Sequence, residues 1–489
     1  MTLSLASRAD FTLDNFRQVA WRGEGVRFAE GALSRMAGTR RAFLELLNRD
    51  PEITIYGVTS GYGQFAGRRL AAAERVTHAR RPPYGAHVAF GPPLPERVVR
   101  GFVFARLTNY VEGHSAISPE LASAVAAMLD KPSLPRVTMA GQSGAGEILG
   151  LSPLFSRLAE TFDLGEKESL ALVNGSPCAT ALLADAVLAG RRRLRLAEEV
   201  FALSAEAIKL PYGHLAEELD VLWGDAAEAA ILARLRSLIA GGTPERRSYQ
   251  APVSYRILPR VLAQYLRAIE GAETAASTSL RAITDNPVFL APSANHPKAR
   301  IYSTGGFHNA MAHPAMDNLA AATADLCLLA DRHTSKLLHG NHSLLPDQLQ
   351  KGDGYMGCLG MVQVGYAEQA RRAAQRNFLP GSEGGGFGQN DVAPPTFFAW
   401  RAQEEAGRCL EACLAMLAAV GSQALFVTDR GAPPALDSLL AEIRNHLPPV
   451  TASRILAGEL ESLAGAFRAR VYDVAPHLAE EGSPDRIPR

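Results

Sequence analysis

Residues 180–210 read TALLADAVLAGRRRLRLAEEVFALSAEAIKL. Apolar side chains recur there at three- and four-residue spacing, with an arginine run, Arg191 to Arg193, on the other face. That period is the mark of an amphipathic helix. Similar patterns run through 259–280, 312–339, 359–377, 396–420, 434–446 and 451–473. Several exceed twenty residues, which suits the long helices of a bundle better than a compact α/β sheet. The chain is therefore expected to be mainly α.

Upstream of that stretch the sequence is mixed. Residues 51–95 hold short β-prone pieces among glycines and prolines, ITIYGVTSGYGQF and then RRPPYGAHVAFGPPLP, and punctuation this dense means loops. A helical pattern follows from Glu96 to about Met128, broken near Gly113-His114-Ser115. Residues 131–153 return to a Gly-rich loop containing MAGQSGAGEILGLSP. Three regions are expected: a mixed N-terminal domain over 1–210, a long-helix domain over 211–475, and a loose tail over 476–489. No solenoid-length repeat or low-complexity tract interrupts them.

At 489 residues the chain is long for a single core, and its 47% apolar content is ample for a packed interior. Fifty basic residues balance fifty acidic ones, so nothing points to nucleic acid or an anionic membrane. Cys178, Cys327, Cys358, Cys409 and Cys413 form no CxxC pair and no zinc-binding spacing, so no metal is expected. Cys409 and Cys413 lie one helical turn apart and read as buried neighbours. Scattered thiols, no apolar leader in MTLSLASRADFTLDN and no run of about 18 apolar residues together predict a cytoplasmic protein with no membrane span.

In a bundle, catalytic groups gather at irregular junctions between long helices. Five junctions stand out: Tyr56-Gly57-Val58-Thr59-Ser60-Gly61-Tyr62-Gly63; Gly85-Ala86-His87-Val88; Leu172-Val173-Asn174-Gly175-Ser176; Gln250-Ala251-Pro252-Val253-Ser254-Tyr255-Arg256; and Thr284-Asp285-Asn286-Pro287 followed by Gly305-Gly306-Phe307-His308. Alone, each reads as a turn, a cap or a structural loop. In this order and spacing, over about residues 50–420, they resemble the histidine, phenylalanine and tyrosine ammonia-lyases, which carry YGxxTGFG, a His loop, LxNG, QDxYSxR, TDNP and an FH element.

The resemblance implies the ammonia-lyase (fumarase/aspartase-like) fold, a long central helical bundle with a mixed N-terminal domain. It also implies a homotetramer whose active sites are shared between subunits, with helix N-termini giving a positive potential that favours anionic substrates. By resemblance, Tyr56 matches the catalytic base and Arg256 the arginine that holds the substrate carboxylate, where a bidentate fork suits a planar anion. Asn174 and Gln250 match polar groups of the cofactor and carboxylate region. His87 falls where the family selects the substrate ring, and Phe307 matches a pocket phenylalanine.

The sequence departs from the family at its defining segment. There GSVGASGDL supplies the Ala-Ser-Gly that cyclises to methylidene-imidazolone (MIO), whereas this chain reads Gly141-Gln142-Ser143-Gly144-Ala145-Gly146-Glu147-Ile148-Leu149. Aligned without a gap, Gly146 stands at the serine and Glu147 at the following glycine. Glycine has no β-carbon from which a methylidene can form. Only Gln142-Ser143-Gly144 offers a residue-Ser-Gly tripeptide, through a shift of three residues. Val253 replaces the second tyrosine of QDxYSxR, and Asn390 stands near a position that contacts the amine. Loss of that tyrosine to Val253, with Phe90, Phe307 and Phe387 nearby in the motif loops, points to a roomier, more apolar pocket.

The amine-activating side is thus altered while the proton-abstracting and carboxylate-binding side is kept. The expected function is an MIO-independent lyase, isomerase or cyclase acting on an aromatic or unsaturated carboxylate. Tyr56 serves as base, and Glu147 is a candidate acid/base partner. Two alternatives stay open: an ammonia-lyase or aminomutase with a ring from Ser143, and a catalytically silent scaffold.

Overall fold

The computed structural model describes residues 2–472 except 82, 386 and 387. The expected tail, 476–489, and Phe387 lie outside the described residues. Long helices dominate. They are α1 (Glu30–Arg49), α2 (Ala72–Ala79), α3 (Glu96–Val111), α4 (Pro119–Ala127), α5 (Ile148–Thr161), α6 (Glu168–Val173), α7 (Pro177–Ala207) and α8 (Glu218–Trp223). Then come α9 (Ala226–Ile239), α10 (Leu258–Leu280), α11 (Ala312–Leu338), α12 (Leu359–Ala373), α13 (Thr396–Val427), α14 (Asp437–His446) and α15 (Ala457–Ala469). Strands are short and paired in twos: β1 (Thr2–Leu5) parallel to β2 (Gly25–Phe28), β3 (Val288–Leu290) antiparallel to β4 (Arg300–Tyr302), and β5 (Gly381–Gly385) antiparallel to β6 (Asn390–Val392).

Each periodic stretch becomes a helix, most within a few residues of the expected bounds, though α13 runs on to Val427 and α15 starts only at Ala457. The Gly-rich loop is shorter than read, because α5 begins at Ile148 and carries Pro153 inside it. The chain forms two compact units, each assembled from three separate stretches: 1–188, 267–323 and 371–406, and then 189–266, 324–370 and 407–489. Every boundary falls inside a long helix, so the division is not a single one near residue 210.

In the first unit, Phe43, Leu46 and Leu47 of α1 pack with Ile55, Val58, Ala116 and Phe289. This cluster clamps the backbone on either side of Tyr56. In the second unit the arginine run of α7 is not a solvated face. Arg191 and Arg193 are buried, and Glu411 of α13, its side chain fully buried, accepts from Arg192, from Arg193 at 3.0 Å and from Arg468 at 3.3 Å. A β-carbon at Gly407 would collide with the Arg193 guanidinium, which is why glycine stands there. A buried charge of this kind requires its partners.

Cys409 and Cys413 are both buried and neither is in a disulfide, as their spacing predicts. The stretch Glu168–Ala207 and helix α13 are long and apolar enough to cross a membrane by length and composition, though no unbroken apolar run announced them. Most of their apolar windows are buried inside the fold, as in core helices.

Candidate active site

Tyr56 is half-buried between the buried Ile55 and Val58. Thr59 Oγ accepts from the Ile55 N–H at 2.7 Å and donates to the Ile53 carbonyl at 2.7 Å, which tightens the turn. The Gly63 N–H donates to the Tyr56 hydroxyl oxygen at 3.1 Å, leaving the phenolic proton to another acceptor. Gly57 has φ +67°, and a β-carbon there would lie 2.6 Å from Leu170 Cδ2. Glycine therefore lets the tyrosine loop press against α6, the helix that ends at Asn174.

Asn174 caps α6 in extended conformation and is buried. Its carbonyl accepts from the fully buried Arg106 of α3, while its Oδ1 has no hydrogen-bond partner. The following Gly175 and Ser176 are held by the TDNP junction: the Ser176 N–H donates to Thr284 Oγ at 3.1 Å. Asn109 Oδ1 in turn accepts from the N–H groups of Thr284 and Asp285, at 2.6 and 3.0 Å. Asp285 pairs with Lys167 at 2.6 Å with both side chains fully buried. Thr284 and Asp285 thus act as a brace for the Asn174 turn.

The loop 141–147 meets this turn. Gly144, Gly146 and Glu147 have φ of +97°, +73° and +56°. A β-carbon on Gly146 would lie 2.9 Å from Asn174 Nδ2. Ser143 is exposed, whereas Gln142 is buried and donates to the Thr138 carbonyl at 2.8 Å.

Glu147 takes a left-handed conformation that L-residues rarely adopt, and its carboxylate shows why. It accepts from the N–H groups of Cys178 at 2.6 Å and Ala179 at 2.8 Å, in the first turn of α7. Pro177 at the start of that helix has no N–H, so Glu147 satisfies the next two donors in line. Burial pushes the Glu147 carboxyl up to about 8, against the opposing pull of the two N–H donors, the Cys178 thiol and Arg106.

The remaining expected residues are distributed as follows. His87, on the loop after Tyr84–Ala86, is exposed; Phe307 and Asn390, the latter in β6, are half-buried. Phe90 is exposed as well. All of these belong to the first unit. Gln250, Val253 and Arg256 belong to the second and are exposed.

Their turn is anchored by residues that the sequence reading did not single out. Tyr255 is fully buried and stacks on His333 with ring centroids 3.6 Å apart. Its hydroxyl donates to the His333 carbonyl at 3.3 Å and lies 3.1 Å from Ser204 Oγ. His333 Nε2 lies 3.1 Å from the Ser254 carbonyl, and burial lowers its ring to about 3, so it is neutral and donates there. Arg256 is therefore presented on a fixed turn with its guanidinium in solvent. Among the described residues, no cluster of three or more His, Cys, Asp or Glu could hold a metal ion.

A mainly helical chain with these junctions defines an enzyme of the ammonia-lyase fold. The sequence matches the Aromatic amino acid lyase family over residues 11–159 and 154–445, and the chain belongs to that family. It is 26% identical to a histidine ammonia-lyase of Paracidovorax citrulli, over 92% of this chain and 93% of that protein. To a histidine ammonia-lyase of Symbiobacterium thermophilum it is 27% identical, over 93% and 95%. Among solved structures it superposes on an ergothioneine-degrading ergothionase from Treponema denticola with TM-score 0.86 and 19% identity, covering 96% and 99% of the two chains. A tyrosine aminomutase from Streptomyces globisporus gives 0.83 and 22%, covering 96% and 97%. The protein is thus a lyase-type enzyme.

Proposed function

We propose that this enzyme works without MIO, as a lyase, isomerase or cyclase on a small aromatic or unsaturated carboxylate. The observation that carries the reading is the Glu147 carboxylate on the Cys178 and Ala179 N–H groups, in the loop from which relatives would build their ring. The residues there do not fit the cofactor: Gly146 lacks the β-carbon and has Asn174 against it, and Glu147 replaces the glycine whose nitrogen would close the ring. Arg256 would hold the substrate carboxylate, and Tyr56 would take a proton from a carbon activated by that acid or its conjugation. Glu147, a buried carboxyl able to carry a proton at neutral pH, is suited to return one. Cytoplasmic location and a tetramer with shared sites belong to the same reading.

The test is a mass and three variants. The purified chain should have its unmodified mass; loss of two waters localised to residues 141–147 would instead establish a ring from Ser143. No ammonia should be released from histidine, phenylalanine or tyrosine. On an acid found by thermal-shift screening to bind and turn over, Tyr56→Phe should lower turnover by about 10²–10⁴-fold with binding retained. Arg256→Ala should weaken binding by about 1.5–3 kcal/mol. Ser143→Ala should change neither. Full activity of Tyr56→Phe would remove the tyrosine from the mechanism.

A further inference from the structure

The segment between Tyr56 and His87 carries five arginines, and four of them are engaged. Arg68 pairs with Glu74 at 2.5 Å, Arg69 with Glu52 at 2.5 Å and Arg80 with Asp163 at 2.9 Å. Arg75 donates to the carbonyls of Leu70 and Pro51. Arg81 differs. Its backbone is fixed, the N–H donating to the His78 carbonyl and the carbonyl accepting from Ser169 Oγ at 2.9 Å. Its exposed guanidinium makes no hydrogen bond or ion pair among the described residues.

Two further groups beside it lack an explained role. Tyr62 stands where the family motif has phenylalanine, and its ring lies on His78 with centroids 4.4 Å apart. His78 is hydrogen-bonded to the backbone of Gly57, next to Tyr56, while its Nε2 is buried with no partner. Burial, aided by Arg81 and Arg68, disfavours charge on that imidazole and leaves an acceptor that nothing in the chain satisfies. Burial also keeps the Tyr62 phenol protonated, as a donor. A phenol O–H, a free guanidinium and an orphaned imidazole nitrogen together suit a carboxylic acid. At pH 7 that acid arrives as its carboxylate, which accepts from the Tyr62 O–H and from Arg81, while His78 Nε2 takes up one proton from solvent on binding and faces the carboxylate as imidazolium.

We propose that Tyr62, His78 and Arg81 form a second acid-binding subsite beside Tyr56, and that the substrate is a diacid. This rests on the reading that Arg256 holds the first carboxylate. The far end of the substrate then carries the second acid group, and Arg81 selects against monoacids.

The test is calorimetric binding of two probes, trans-cinnamate and trans-4-carboxycinnamate, to the full-length protein at pH 7. Wild type should bind the diacid about ten-fold or more tightly than the monoacid. Arg81→Gln should bring that ratio to one with cinnamate affinity unchanged, and His78→Gln should reduce it. Equal affinities in wild type, a ratio untouched by Arg81→Gln, or no binding of either acid overturns the subsite. Arg256→Gln should weaken both acids alike. If the preference persists and depends on Arg81, but Arg256→Gln changes neither affinity, the subsite stands and the assignment of Arg256 falls.

Discussion

Glu147 combines two features that each cost free energy, a left-handed backbone and a buried carboxyl, and helix α7 supplies what offsets them. The consequence for stability has a definite sign. The folded carboxyl titrates near 8 and the unfolded one near 4.5, so between these values the folded state holds a proton that the unfolded state has lost. The contribution of Glu147 is therefore fully present below about 4.5 and is lost as pH rises through 8, by up to about 5 kcal/mol. Glu147→Gln cannot ionise and should gain in melting temperature relative to wild type as pH is raised from 5 to 8. A gap that stays constant over that range would mean that the α7 N–H groups keep the carboxylate charged throughout. None of this was legible locally: GAGEILG announces a glutamate, but its two donors lie 31 and 32 residues further on.

At the scale of elements, legibility followed the range of the interaction. The helices over 180–210, 259–280 and 312–339 were readable because periodicity is written in neighbouring residues. The junctions were readable through their order along the chain. Arg192 and Arg193 read only as part of a polar face because their partner Glu411 lies more than two hundred residues away. Tyr255 and His333 were passed over for the same reason, since a residue apart from its stacking partner has no signature. Loop 141–147 and the Asn174 turn form one such long-range pair, and their fit can be measured. Gly146→Ala puts a β-carbon 2.9 Å from Asn174 Nδ2 in a residue at φ +73°, and should cost about 1–3 kcal/mol of stability. Gly67→Ala, with open space around it and no positive φ, is the matched control and should be near neutral. Equal melting temperatures for the two variants would show that the loop relaxes freely away from Asn174.

For the whole molecule, the question is what covers the apolar surface that one subunit leaves open. Helix α12 buries Gln363 yet exposes Met361 at 77%, Val362 at 52% and Val364 at 46%, the reverse of a surface helix on a monomer. Tyr366, on the same helix, is also exposed. In the reading proposed above, the occupant would be further copies of the same chain, since a closed assembly is the usual outcome for such a face. It would also explain why Gln250, Val253 and Arg256 stand in solvent on a rigidly anchored turn, since a shared site needs a second subunit to complete it. Light scattering at micromolar concentration should therefore give four times the mass of the chain. Met361→Lys combined with Val364→Lys introduces two charges into the covered face without touching a residue buried within the subunit. The double variant should shift the population to smaller species while keeping its helical circular dichroism. If the Arg256 site needs neighbouring copies, binding of cinnamate should be lost with the assembly. A wild-type protein that is monomeric and still binds cinnamate would mean that one chain holds a complete site, and the exposed face of α12 would then need another explanation.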